Sequence, residues 1–130
     1  MIEFHLDTRS GVPTYLQLVQ QVRQAVQLGI LEPGDQLPTV KEVVGSLAIN
    51  PNTVLKAYRE LDREGLVEGL RGQGTFVLAT VPSLPPDDVR ALREALQRWL
   101  AQARAAGLDA DGVAALVAET LRAARSSRAA

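Results

Sequence analysis

Polar side chains that can hydrogen-bond to nucleic acid recur at helical spacing in the middle of the chain. Asn52, Lys56 and Arg59 follow one another at intervals that place them on one face of an α-helix. An amide can pair with the edge of adenine, and cationic side chains can bind phosphate oxygens. A further arginine, Arg71, lies in the glycine-rich stretch GLRGQG. The combination predicts contact with a polyanion, and duplex DNA fits it best.

Residues that commonly carry catalysis or bind metals are scarce in this chain. Its 130 residues include no cysteine and a single histidine, His5, so we expect no disulfide, no thiolate site and no Ser-His-Asp triad. No phosphate-binding loop or convergent acid–base set stands out. We therefore expect no enzyme activity, no metal and no cofactor, and we interpret His5 as a residue of an N-terminal arm.

The charge balance is slightly acidic, with a net charge of −1. Residues 1–80 hold seven Lys/Arg and nine Asp/Glu, whereas residues 81–130 hold seven arginines and six acids. Non-specific attraction to DNA should therefore be modest, and DNA binding requires the positive groups to be gathered on one surface. The balance leaves open an alternative in which the same surface binds a protein instead of DNA.

The sequence carries no recognisable membrane or export segment. No apolar run approaches the roughly 20 residues that span a bilayer. The first ten residues, MIEFHLDTRS, lack the basic and apolar regions of a secretory signal. We expect a cytoplasmic protein.

Hydrophobic spacing predicts three helices as the scaffold for the polar side chains. The first begins near Pro13 and ends at Gly29, because proline suits a first helical turn and glycine a stop. Its predicted apolar face consists of Tyr15, Leu18, Val19, Val22 and Val26. Thr39 and Glu42 form a capping box at the start of a short second helix. Only three or four residues then separate it from the third helix, which is the spacing of a helix-turn-helix.

The third predicted helix carries the polar face. Asn50 is a good N-cap and Pro51 a good first residue, so we expect the helix to open there and to stop at Gly65. An apolar face lies opposite the polar one and consists of Val54, Ala57, Tyr58 and Leu61. Burial of that face would turn Asn52 and Lys56 outward.

Strands are predicted on either side of the helices. Residues 66–68 and 75–78 are expected to form a hairpin, a wing, with a glycine-rich tip around Arg71 and Gln73. The N-terminal arm, residues 1–12, alternates apolar and polar positions with the period of a half-buried strand.

Beyond the wing, the sequence predicts a linker and two more helices. Three prolines in residues 81–86 indicate a stiff linker. Two amphipathic helices are expected over residues 87–125, and they are too short to bury their apolar stripes alone. We therefore expect them to pack against a second copy of the chain, and the alternative is that they cover the first helix. The predicted interface residues are Leu92, Leu96, Trp99, Leu100, Leu116 and Leu121.

The motifs now assembled resemble the GntR family of bacterial transcription regulators. The similarity rests on PTYLQ at 13–17, GILEPGDQLPT at 29–39 and GQGTFV at 72–77. The segment NPNTV at 50–54, followed by AYREL at 57–61, resembles the YtrA-like subfamily in particular, as does the short tail.

This resemblance implies an α+β fold in which a winged helix-turn-helix (residues 1–80) precedes a short two-helix dimerisation region (residues 87–125). It also implies a homodimeric regulator, a repressor by our interpretation, that binds a pseudo-palindromic operator in double-stranded DNA. Whether a small-molecule effector of unknown identity also binds stays open. The alternative remains a winged-helix module that binds a protein.

The resemblance further implies a division of roles at the DNA. The third helix would enter the major groove, while the wing would contact phosphates or the minor groove. Family members often carry guanine-binding arginines at the positions of Pro51 and Leu55, so their absence favours an A/T-leaning half-site. Lys41 stands in place of a phosphate-clamping arginine and supplies charge without the fork. The predicted DNA-binding residues are Thr39, Lys41, Pro51, Asn52, Thr53, Leu55, Lys56, Arg59, Arg71, Gly72, Gln73 and Gly74.

Overall fold

Three helices and a hairpin form the first part of the chain in the computed structural model, which describes residues 2–78 and 83–129. Two units can be distinguished, Met1–Val89 and Arg90–Ala130. The elements in chain order are α1 (Thr14–Gln27), α2 (Val40–Leu47), α3 (Pro51–Arg63), β1 (Val67–Leu70), β2 (Gly74–Val77), α4 (Pro86–Ala105) and α5 (Ala110–Ala129). The first five make a winged helix-turn-helix, as predicted.

A single apolar cluster holds α1, α2 and α3 together. Leu18 and Val22 of α1 and Val43 of α2 are buried in it. The predicted face of α3 is confirmed, since Val54, Ala57, Tyr58 and Leu61 are all buried. Because α3 packs on both α1 and α2 through this face, its opposite face is left to solvent.

Local capping fixes where α2 and α3 begin. The predicted capping box is present, because the Thr39 hydroxyl accepts a hydrogen bond from the Glu42 amide at 3.1 Å and the Glu42 carboxylate accepts one from the Thr39 amide at 3.2 Å. The Asn50 side chain caps α3 by accepting from the Asn52 amide at 2.8 Å. Between the helices, Ala48 adopts a φ of 54°, a left-handed conformation that costs a non-glycine residue about 1 kcal/mol. The tight turn of the helix-turn-helix requires it.

A buried hydrogen bond ties α3 to the segment that precedes α2. The Tyr58 hydroxyl donates to the Pro38 carbonyl at 2.6 Å. Burial raises the pKa of this hydroxyl above its ordinary value of 10.0, and the nearby charge of Glu42 raises it further. The hydroxyl therefore stays protonated as a donor and fixes α3 next to the capping box.

The wing is wider than the sequence indicated. β1 and β2 pair antiparallel from Val67 opposite Val77 to Leu70 opposite Gly74, so the strands differ by one or two residues from those predicted. The segment before α2, interpreted from sequence as a turn, also pairs with β2. The Gly34 amide donates to the Val77 carbonyl at 2.9 Å, and Gln36 forms a bridge with Phe76. This pairing anchors the hairpin to the helical core.

The predicted N-terminal strand is wrong, although its alternation is real. Ile2 and Phe4 are buried and His5 is exposed, yet no strand pairs with the arm in the described residues. A glutamine takes the place of a neighbouring strand. The Gln21 side chain accepts from the His5 amide at 3.1 Å and donates to the His5 carbonyl at 2.6 Å, and Gln17 does the same for Asp7 at 2.8 and 2.9 Å.

The two-helix region that follows the wing begins one residue earlier and ends later than the predicted residues 87–125. Pro86 opens α4 instead of ending the linker, which agrees with the preference of proline for a first helical turn. Val81 and Pro82 of the predicted linker lie outside the described residues. α5 continues through Ala129 because its alanines and arginines favour helix. No helix among the described residues has the length and hydrophobicity that crossing a membrane would take.

The second unit exposes much of its apolar surface. Within the described residues, α4 and α5 do not pack along their lengths. Leu92 and Leu96 of α4 are 62% and 53% exposed, and Leu121 of α5 is 56% exposed. Trp99 and Leu100 are half-buried. The leucines of these stripes are therefore largely exposed within the second unit, although the stripe of α4 is partly covered at Trp99 and Leu100.

Candidate nucleic-acid interface

The outward face of α3 presents most of the predicted DNA-binding residues together. Asn52, Lys56 and Arg59 are exposed along it, as are Pro51 at its start and Leu55 on its flank. Thr53 is half-buried. Asn52, Lys56 and Arg59 lie opposite the buried face described above, so the packing of α3 on α1 and α2 turns these three to solvent. Pro51, Thr53 and Leu55 lie nearer the edges of the buried face.

The first turn of α3 is arranged so that its amide side chain stays available. The backbone amide of Asn52 is already satisfied by the Asn50 cap at 2.8 Å. No hydrogen bond to the Asn52 side chain occurs within the part of the chain that the structure describes. An exposed carboxamide at the start of a helix can donate and accept at once, which is what bidentate pairing with adenine requires.

Ion pairs neutralise the far end of α3 but not this face. Arg23 bonds to Glu64 at 2.6 Å, and Arg63 binds Glu60 through two nitrogens. The hydrogen bond from Arg63 is the main reason that the pKa of the Glu60 carboxyl is lowered. Arg59, by contrast, is exposed and pairs with no carboxylate among residues 2–78 and 83–129. Its charge is therefore available to an external anion.

Lys56 makes a contact that its sequence position does not reveal. Its ammonium lies 4.1 Å from the centre of the Tyr15 ring, which is within the range of a cation–π interaction. Tyr15, the second residue of α1, is only half-buried. Tyr15 packs against the apolar cluster, as its predicted place in the apolar face of α1 implies, but i, i+3 spacing does not reveal a lysine that lies 41 residues away.

The wing tip is supported by Gln36, a residue that sequence reasoning missed. Gly74 adopts a φ of 125°, and a β-carbon there would lie 2.5 Å from the Nε2 atom of Gln36. That same nitrogen donates to the Gln73 carbonyl at 3.1 Å. The φ of Gly74 is a conformation that favours glycine, and a β-carbon there would displace the Gln36 amide from this hydrogen bond. The turn leaves Arg71 and Gly72 exposed at the tip, with Gly72 at a φ of 78°.

The structure brings the wing next to the start of α2. An open groove of about 560 Å³ is lined by Thr39 on one side and by the wing residues from Gly69 to Thr75 on the other. Arg71, Gly72, Gln73 and Gly74 thus meet Thr39 at one surface. Lys41 is exposed on α2, and neither it nor the α3 residues line this groove.

Comparison with known proteins agrees with this geometry. The family model described as "Bacterial regulatory proteins, gntR family" matches residues 14–77. The chain is 40% identical over 105 residues to the HTH-type transcriptional repressor YtrA of Bacillus subtilis (strain 168), a match that covers 80% of this chain and 81% of that protein. It therefore belongs to the GntR family and resembles the YtrA-like members, as the sequence motifs indicated.

Two solved structures extend the comparison. YtrA from Sulfolobus acidocaldarius, a GntR-family transcription factor, is 32% identical, with a TM-score of 0.55 over 75% of this chain and 97% of that one. AraR(DBD), solved in complex with operator ORX1, is 25% identical, with a TM-score of 0.51 over 58% of this chain and 95% of that one.

Proposed function

We propose that this member of the GntR family is a homodimeric transcriptional repressor that binds a pseudo-palindromic operator in duplex DNA. The observation that carries the proposal is the exposed polar face of α3, whose amide and arginine have no partner among the described residues. The relative named repressor YtrA and the operator complex of AraR(DBD) support it. Occupancy of a promoter by such a protein would block transcription.

The proposed contacts follow from the position of each residue on α3. The N-terminal half of the helix enters the major groove, where Asn52 pairs with adenine and Leu55 packs against a thymine methyl. Thr53 reaches a phosphate or a thymine methyl. Since Pro51 and Leu55 cannot donate to guanine, we expect the half-site to lean towards A/T.

The wing and α2 are proposed to bind the backbone on either side of the helix. Arg71 and Gly72 are exposed at the tip, and Gly74 beside them is half-buried. Arg71 and the backbone amides of both glycines are proposed to meet phosphates or the minor groove. Thr39 faces the same groove. Lys41 supplies a phosphate contact from α2. Such contacts set the register of the protein without reading sequence.

The dimer is proposed to form through α4 and α5. Leucines at positions 92, 96, 116 and 121 are all more than 40% exposed, and burying a leucine side chain contributes about 1.5–3 kcal/mol. Trp99 and Leu100 lie on the same stripe of α4. A two-fold pair of chains would cover these stripes and present two α3 helices to half-sites about one helical turn apart. In this proposal, residues 1–80 bind DNA in the cytoplasm and residues 87–125 dimerise.

The experiment that tests the proposed function is selection of bound duplexes from a random DNA pool by the full chain. We expect enrichment of an inverted repeat with A/T-rich half-sites. The Asn52→Ala variant should lose preference at one A·T pair, by about 1–3 kcal/mol, while Gln24→Ala, an exposed amide on α1, should select the same sequence as the parent. A pool that stays random with a folded protein would contradict the proposal and favour a protein partner.

A further inference from the structure

We propose that Tyr15 is a positioning residue for DNA binding, which holds the Lys56 ammonium against the phosphate backbone instead of the base edges. The inference rests on the proposed DNA-binding function and deepens it. It starts from the 4.1 Å distance between the Lys56 ammonium and the centre of the Tyr15 ring.

Lys56 is not engaged by the carboxylate that helical spacing would offer it. Glu60 lies four residues further along α3, the separation at which a lysine and a glutamate on one helix usually pair. Here Arg63 takes both oxygens of Glu60. Lys56 has no carboxylate partner within the described residues. Its ammonium contacts the Tyr15 ring instead.

A ring holds an ammonium without neutralising it. The attraction comes from the quadrupole of the aromatic face, so the full positive charge remains. An ammonium has three N–H donors, and one ring face leaves some of them free. Lys56 is exposed, so those donors are accessible. The pair Tyr15–Lys56 therefore presents an oriented cation, which suits a single anionic oxygen of a phosphodiester.

The direction of the Lys56 side chain determines whether its ammonium meets a phosphate or a base edge. On α3, Arg59 is rotated from Asn52 by about 20° to one side and Lys56 by about 40° to the other, so Lys56 lies off the line through Asn52 and Arg59. Lys56 is displaced from that line towards α1, where Tyr15 lies at the second position of the helix. In a major-groove complex the middle of the helix face meets the groove floor, and its flanks meet the groove walls, which are phosphates. The contact with Tyr15 thus directs Lys56 to a wall.

The test is a double-mutant cycle with the full chain and two duplexes, the enriched inverted repeat and an unrelated sequence. Tyr15→Leu keeps apolar bulk but removes the ring, Tyr15→Phe keeps the ring but removes the hydroxyl, and Lys56→Met keeps the length but removes the charge. We expect Tyr15→Leu to weaken binding to both duplexes by about two- to fivefold, the value of an exposed cation–π contact. Tyr15→Phe should retain the parent affinity.

The salt dependence and the cycle separate a positioning role from a merely structural one. Lys56→Met should lower the slope of log K against log salt by about one and leave the selected sequence unchanged. In the Lys56→Met background, Tyr15→Leu should cause no further loss. The inference is overturned if Tyr15→Leu weakens binding equally in the parent and in the Lys56→Met background. It is also overturned if Tyr15→Phe binds more weakly than the parent, or if Lys56→Met changes the selected base sequence. If the parent chain bound neither duplex, the proposed function itself would fail; a parent that binds with an additive cycle refutes only the role of Tyr15.

Discussion

Removal of one buried hydroxyl should loosen the helix-turn-helix measurably. Tyr58→Phe deletes the donor to the Pro38 carbonyl, a 2.6 Å hydrogen bond inside the core, and leaves that carbonyl without its partner. A buried polar group left unpaired costs about 1–3 kcal/mol. Because the ring and its packing remain, we expect the free energy of unfolding to fall by about 1–2 kcal/mol. For a unit of this size that corresponds to a Tm lowered by roughly 4–16 °C.

Tyr58 should also make the free energy of unfolding depend on pH. The pKa of Tyr58 is raised by folding from its ordinary value of 10.0, so the folded state holds this proton more tightly than the unfolded state. The contribution is therefore complete below about pH 10 and is lost as the pH rises above it. There the free energy of unfolding should fall by up to about 1.4 kcal/mol per pH unit from this group. In Tyr58→Phe that part of the decline should be absent.

Urea denaturation followed by circular dichroism, at pH 7 and between pH 9 and 11, measures both effects. The chain has two tyrosines, so Tyr15→Phe is a matched control. Its hydroxyl makes no hydrogen bond within the described residues, and its loss should leave the urea midpoint at pH 7 unchanged. If Tyr58→Phe unfolds at the same urea concentration as the parent and shows the same alkaline decline, the Tyr58–Pro38 bond does not stabilise the fold as argued.

Three further substitutions test the core, the wing and the dimer. Leu61→Asp places a carboxylate at a fully buried site and should prevent folding of the first unit by circular dichroism, whereas Leu55→Asp on the exposed face should fold. Arg71→Ala should weaken binding to every duplex and lower the slope of log K against log salt by about one. The free energy of unfolding should stay the same, because Arg71 is exposed. An unaltered slope would show that the wing does not contact DNA. Trp99→Asp should yield monomers by light scattering, and a persisting dimer would place the interface elsewhere.

Local patterns predicted the helical frame because their causes lie within a few residues. The hydrogen bonds of the Thr39–Glu42 capping box and of the Asn50 cap join residues no more than three positions apart. The buried face of α3 follows from its own periodicity, so Val54 and Leu61 were placed correctly. The same logic led from sequence to family, since the motifs that carry the resemblance are short and contiguous.

Contacts between distant segments could not be predicted in the same way. The arm alternates like a strand, but its backbone is satisfied by Gln21, sixteen residues away. Gln36 supports the wing across 37 residues. Tyr15 packs against the core as periodicity predicts, but periodicity reports only which side of a helix is apolar and not which cation lies beyond its edge. Gln21 and Gln36 make tertiary hydrogen bonds to distant segments, and no pattern in the neighbouring residues indicates those partners.

The proposed operator-binding dimer is tested most directly by a hydroxyl-radical footprint of the full chain on the duplex enriched from the random pool. We expect two protected segments related by the inverted repeat, with centres about one helical turn apart. A single protected segment, or protection that does not follow the repeat, would contradict the claim that two α3 helices read one operator.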